Sequence, residues 1–159
     1  MKPISSTLFG LLCLSVWINY LDRGTLGVAA PVLRPELGMS TPQLGVLLSG
    51  FFWTYALLQP VVGILVDRWG AYRVYAAGYG VWSVAMVLGG LSSGFGSLLA
   101  SRLLLGAGES VGYPCFSKMI ATGFPESKRG IANAMIDAGT KIGPAVGTFA
   151  GGMLIQRYG

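Results

Sequence analysis

Apolar residues run along this chain in long blocks rather than short alternations, and the blocks are broken only by compact clusters of Pro, Gly, Ser and charge. A helix that crosses a bilayer needs roughly 20 mostly apolar residues. Five windows meet that length: Thr7 to Ala30, Gln43 to Val66, Val74 to Leu91, Ser97 to Thr122 and Ile131 to Ile155. The breaks hold Pro35 and Pro42, the charged stretch from Asp67 to Arg73, the string SSGFGS, and FPESKRG. The pattern predicts an all-α membrane protein with five transmembrane helices.

Composition supports that class. Of 159 residues, 53% are hydrophobic and 11% charged, with a mean hydropathy of +0.63. A soluble domain carries about 25% charged residues, and so little charge could not cover a surface in water. The formal charge of +5 does not indicate nucleic acid, because the basic residues are scattered and not clustered on one solvated face. Cys13 and Cys115 lie in apolar segments without metal-ligand spacing, and the chain has no histidine. The cysteines read as small buried hydrophobes, and no metal or cofactor is expected. Met1-Lys2 leads into an apolar run as a signal peptide would, but that run is too long and carries Asn19, Asp22 and Arg23.

Orientation follows from the loop charges. Lys2, Arg68, Arg73, Lys128 and Arg129 fall on one side, Arg34 and Arg157 on the other. The basic excess predicts a cytoplasmic N-terminus in a plasma membrane, with a bacterial inner membrane as the expected location. Five spans ending outside at QRYG are an odd stopping place for an even-numbered bundle, so a fragment lacking a second wall is expected.

The six carboxylates divide by depth. Glu36, Asp67 and Glu126 lie in breaks, while Asp22, Glu109 and Asp137 lie within spans. A charge at mid-membrane costs about 2.5 to 3.5 kcal/mol on insertion scales, so such residues face a cavity or a partner. Arg102 and Glu109 are seven apart, on one face and about 10 Å from each other, with Gly106 and Tyr113 on the same line. That line reads as a cavity wall. Lys118 lies off it, near a helix end, where snorkelling accounts for its charge. In the first span Ser15, Asn19, Asp22 and Arg23 share a broad stripe. In the fifth, Asp137 and Lys141 stand at i, i+4, and both a structural ion pair and a cavity role stay open. A purely structural buried network is the competing reading for Asp22, Arg23, Arg102 and Glu109.

GILVDRWGAYR, following the second span, resembles the loop motif between helices two and three of the major facilitator superfamily. Gly63, Asp67, Arg68, Gly70 and Arg73 match it, and Tyr72 departs where a further basic residue is common. Gly63 would allow close helix approach, Gly70 a tight turn, and the acid and base charge-assisted bonds across the cytoplasmic mouth. The implied role is a conformational gate. RLLLGAG resembles the superfamily's fourth-helix motif and GTKIGPAVG its fifth-helix glycine motif, with Thr148 where a second Gly is usual. Gly139, Gly143, Gly147 and Gly151 form a small-residue ridge, and Pro144 would kink it. A complete fifth-helix motif is associated with antiporters. GAGESVG fails as a dinucleotide fingerprint, since no strand precedes it and no acid follows at the ribose spacing.

Within the superfamily, NYLDR, FFWTYALLQPVVGILVDRWG, RLLLGAGESVGYP and FPESKRGIANA together resemble the anion:cation symporter family, which carries organic anions such as hexuronates, aldonates and glucarate. The resemblance implies most of the N-terminal six-helix half of that fold, with the sixth helix and the C-terminal half absent. It implies proton coupling at Asp22 and Glu109, anion handling at Arg23 and Arg102, and a substrate contact at Tyr55. Gln59, one turn on, is a second substrate-contact candidate from geometry alone, and Asn19, Tyr113, Asn133, Asp137 and Lys141 are candidates to line the cavity. Desolvation favours a neutral carboxylic acid. Proton loading would then leave the arginines attractive to an anion, which couples the two by linkage. The expected function is proton-coupled symport of an organic anion, not catalysis. The expected partners are the anion, protons, the lipid bilayer and the missing half. A proton/drug antiporter and a non-transporting five-span scaffold subunit are the alternatives.

Overall fold

The computed structural model describes residues 4–158, and every regular element among them is helical: α1 (Ser6–Glu36), α2 (Thr41–Trp69), α3 (Ala71–Gly90), α4 (Phe95–Glu109), α5 (Gly112–Gly123) and α6 (Glu126–Tyr158). Among the described residues, α2 alone is long and apolar enough to cross a membrane by that test.

The helix ends follow local chemistry. At the end of α1, Gly38 takes a left-handed φ of 59°. Its N–H donates to the Pro35 carbonyl at 3.2 Å, and the Met39 N–H donates to Arg34 at 2.9 Å. This double closure satisfies the last carbonyls of the helix. Ser40 then starts α2 with a capping box: its backbone N–H donates to Gln43 Oε1 at 2.9 Å, and the Gln43 N–H donates to Ser40 Oγ. Pro42 sits in the first turn, where its missing N–H costs nothing. Gly70, at φ 86°, joins α2 to α3 in a conformation that a side chain would strain.

The predicted span from Ser97 to Thr122 is interrupted. α4 ends at Glu109 and α5 begins at Gly112, with a turn at Ser110 and Val111. Pro114 explains the position of the break. It has no N–H to give the Ser110 carbonyl four residues back, and its ring crowds that carbonyl.

The chain divides into two compact units: α1 through Leu33 with the chain from Ile120 onward, and Arg34–Met119. In the first, α6 lays its glycines against α1. A methyl on Gly139 would lie 2.6 Å from Trp17, and one on Gly143 would lie 2.7 Å from Tyr20 Cβ. Gly147 meets the Leu21 backbone. Gly24 of α1 reciprocates, with Pro144 O at 2.9 Å and Thr148 Oγ1 at 3.1 Å from an added methyl. The contacts advance together along both helices, so α1 and α6 run parallel. Gly151, the fourth member of the expected ridge, meets nothing within 4 Å.

In the second unit α4 packs against α2 and α3. Phe51, Trp82, Ala85 and Leu105 form its buried cluster, with Tyr55, Tyr79 and Leu104 against it. Gly106 is indispensable to this approach, since an added Cβ would collide with the Phe51 carbonyl and the Thr54 hydroxyl. That hydroxyl donates across to the Leu103 carbonyl at 2.7 Å, tying α2 to α4.

Candidate functional site

Within the second unit, α4 carries Arg102 and Glu109 two turns apart. Glu109 is only 3% exposed, and Arg102 is half-buried. The Arg102 guanidinium carbon lies 5.2 Å from the centre of the Phe51 ring. Phe51 in turn stacks on Tyr55, with ring centres 5.3 Å apart and planes inclined by 23°. The two aromatics form a ledge for the cation, because a guanidinium is attracted to the negative face of a ring. Tyr55 and Gln59 are half-buried on successive turns of α2. Tyr113 was expected on the Arg102 line. It belongs to α5, beyond the break, and is 42% exposed.

In the first unit Asn19, Asp22 and Arg23 are half-buried on α1. The Arg23 guanidinium stands 4.2 Å over the ring of Tyr20. The Thr25 hydroxyl donates to the Asp22 backbone carbonyl at 2.7 Å, which leaves the Asp22 carboxylate out of that local bond. On α6, Asn133, Asp137 and Lys141 form an exposed polar stripe beside the glycine contacts. Among the described residues Asp137 and Lys141 form no ion pair, so the pairing considered for them is not made. Two exposed side chains gain little from contact and lose rotamer freedom by it.

The GILVDRWGAYR motif lies at the α2–α3 joint, where Arg68 and Arg73 are exposed. Gly63 has nothing within 4 Å of an added methyl, so it serves no close helix approach among the described residues. Asp67 Oδ1 receives Lys118 Nζ at 2.7 Å. Lys118 therefore pairs with the motif's acid rather than merely snorkelling. Topology offered a signal for this contact: the second and fourth spans run in the same direction, so Asp67 and Lys118 end at the same membrane face. Phe51 and Thr54 were also missed, both inside an apolar block. A hydroxyl in such a block needs an acceptor, which was the available signal for Thr54.

Comparison with known proteins places these elements. The family model of the Major Facilitator Superfamily matches residues 12–159. A probable sulfoacetate transporter of Cupriavidus necator is 33% identical over 139 residues, covering 87% of this chain and 32% of that protein. A hexuronate transporter of Bacillus subtilis is 35% identical over 141 residues, covering 89% and 33%. A probable L-galactonate transporter of Escherichia coli is 36% identical over 145 residues, covering 91% and 32%. The chain thus spans about a third of the length of these relatives. Among solved structures, a bacterial homolog to the human lysosomal transporter Spinster, inward-facing and occupied, superposes with a TM-score of 0.87 at 26% identity, covering 97% of this chain and 33% of that one. The helical order, the loop motif at the α2–α3 joint and the family match lead to one conclusion: the chain belongs to the Major Facilitator Superfamily, whose members are embedded in the membrane by many spans.

Proposed function

We propose that these helices form most of the N-terminal half of a proton-coupled organic-anion symporter about three times this length. One observation carries the reading: α4 holds a nearly enclosed carboxylate, Glu109, two turns from an arginine seated on an aromatic ledge. Neither group stabilises an apolar bundle cheaply, and ionisable groups at membrane depth are functional by default. Sulfoacetate, hexuronate and L-galactonate, for which those relatives are named, are all anions, which suits an arginine.

In this reading Arg102 and Arg23 attract the cargo, Tyr55 and Gln59 contact it, and Glu109 and Asp22 carry protons. Asn19, Tyr113, Asn133, Asp137 and Lys141 are the lining candidates. Loading a proton on an acid removes a negative charge from the surroundings of the arginine and raises its hold on an anion. By reciprocity the anion favours proton loading. Gly63, Asp67, Arg68, Gly70 and Arg73 form the gate, on the cytoplasmic side of a bacterial inner membrane. Alternating access requires a second half rocking against this one.

The test is uptake by the reconstituted transporter in proteoliposomes, with an imposed pH gradient and a panel of sugar acids. Accumulation of at least one anion, dependent on the gradient and accompanied by proton entry, is expected. Accumulation of lipophilic cations driven by proton exit would replace the proposal with drug antiport, and no transport of either class would overturn it.

A further inference from the structure

A second feature of the Arg34–Met119 unit has a defined shape and plays no part in anion handling. A groove of about 520 Å³ runs between α2, α3 and the α4–α5 break. That volume falls within the ~300 to 1,000 Å³ of small-molecule sites. Val61 and Leu65 of α2 and Ala77 and Val81 of α3 form its walls, and Val111 at the break forms its floor. The floor is close because α3 presents Gly78 there: any Cβ at Gly78 would collide with Val111.

Its lining is apolar apart from Ser110, whose hydroxyl donates to the Ala107 carbonyl, and one end, where Trp69 and Arg73 stand beside the α2–α3 joint. Arg73 is exposed, and among the described residues no carboxylate pairs with it. From Leu58 to Trp69 the groove follows twelve residues of α2, about 16 Å of helix. That is close to half of the ~30 Å hydrocarbon core, the depth of one leaflet. An indole and a guanidinium at the end of such a groove occupy the level of lipid headgroups, where tryptophan is enriched and basic side chains meet anionic lipid.

We propose that this groove binds one anionic phospholipid, its acyl chain lying between α2 and α3 and its phosphate on Arg73. The proposal rests on the membrane placement that the family implies and is independent of what the protein transports. Length and charge both point to anionic lipid: a polar sugar acid has no chain to fill the groove, and a zwitterionic lipid brings Arg73 a phosphate whose charge its own ammonium headgroup offsets.

The experiment is native mass spectrometry of the purified protein titrated with phosphatidylglycerol and phosphatidylcholine of matched chains. Phosphatidylglycerol is expected to be retained about fivefold better, the factor that one basic side chain contributes near anionic lipid. Arg73→Gln should equalise the two lipids, and Arg73→Lys should keep the preference. Arg68→Gln, at an exposed position outside the groove, should also keep it. Ala77→Trp should expel both lipids by filling the groove, and Val61→Trp provides the same test should the first variant fail to fold. Equal retention of the two lipids by the wild type would overturn the proposal. So would wild-type retention by a folded, groove-filled variant, or loss of preference in Arg68→Gln as complete as in Arg73→Gln.

Discussion

Replacing Glu109 by Gln removes one ionisable oxygen pair while keeping shape and hydrogen-bonding capacity, so it isolates the charge of this carboxylate. Glu109 stands seven residues from Arg102 on α4, about 10 Å along the helix. An anion held at Arg102 would feel an ionised Glu109 with roughly 1.7 kcal/mol of repulsion at an effective dielectric of ~20. Neutralising the acid therefore strengthens anion binding by about 16-fold, given that 1.4 kcal/mol is a factor of ten. In the wild type, affinity for a transported sugar acid should fall as pH rises and Glu109 gives up its proton. In Glu109→Gln it should stay at the high, low-pH value throughout. Isothermal titration of the detergent-purified transporter between acid and alkaline pH measures both curves. Proteoliposome assays should then show proton-driven accumulation lost and anion exchange retained. A Gln variant that binds with the wild type's pH dependence would refute the assignment of the coupled proton to Glu109. Accumulation against a gradient by that variant would do the same.

Gly106→Ala should destabilise the protein by about 1 to 3 kcal/mol: overpacking costs ~1 to 3, loss of the Thr54 to Leu103 bond ~1, and the better helix propensity of Ala returns ~1. Gly63→Ala, with open space around it, should instead match or exceed the wild type in the same thermal melt, and the reverse order would contradict the packing described for α4. A double-mutant cycle of Asp67→Asn and Lys118→Met should give a coupling below about 1 kcal/mol, because both side chains are largely exposed; a coupling of several kcal/mol would show the pair to be enclosed. Pro114→Ala supplies the N–H that the Ser110 carbonyl lacks, so hydrogen exchange at residue 114 should slow to the rate of the neighbouring α5 amides. An unprotected amide there would mean that Pro114 does not cause the break.

Hydropathy alone made the helical membrane class legible, because blocks near 20 apolar residues have few other uses. The motifs carried the family, since Gly70 sits at a helix joint whose positive φ needs a glycine. Other features depended on partners remote in sequence. Lys118 looked like a lone cation at a helix end until α2 brought Asp67 to it, 51 residues away in the chain. The ridge of α6 has four glycines by spacing, yet only three meet α1, and period cannot say where a neighbouring helix stops. The break after Glu109 was written in Pro114, but the apolar run continues through it and concealed the lost backbone bond. Phe51 is silent in sequence for a related reason: an aromatic in an apolar span looks like core until a guanidinium is found over its face.

The bond from Lys118 to Asp67 also changes what the α2–α3 turn shows to its surroundings. The acid of the motif is balanced by a lysine of its own unit, and among the described residues no carboxylate pairs with Arg68 or Arg73, so that rim carries an excess of positive charge. Whatever engages the rim, whether another part of a larger transporter or a soluble regulator, meets a surface that rewards negative charge and repels basic segments.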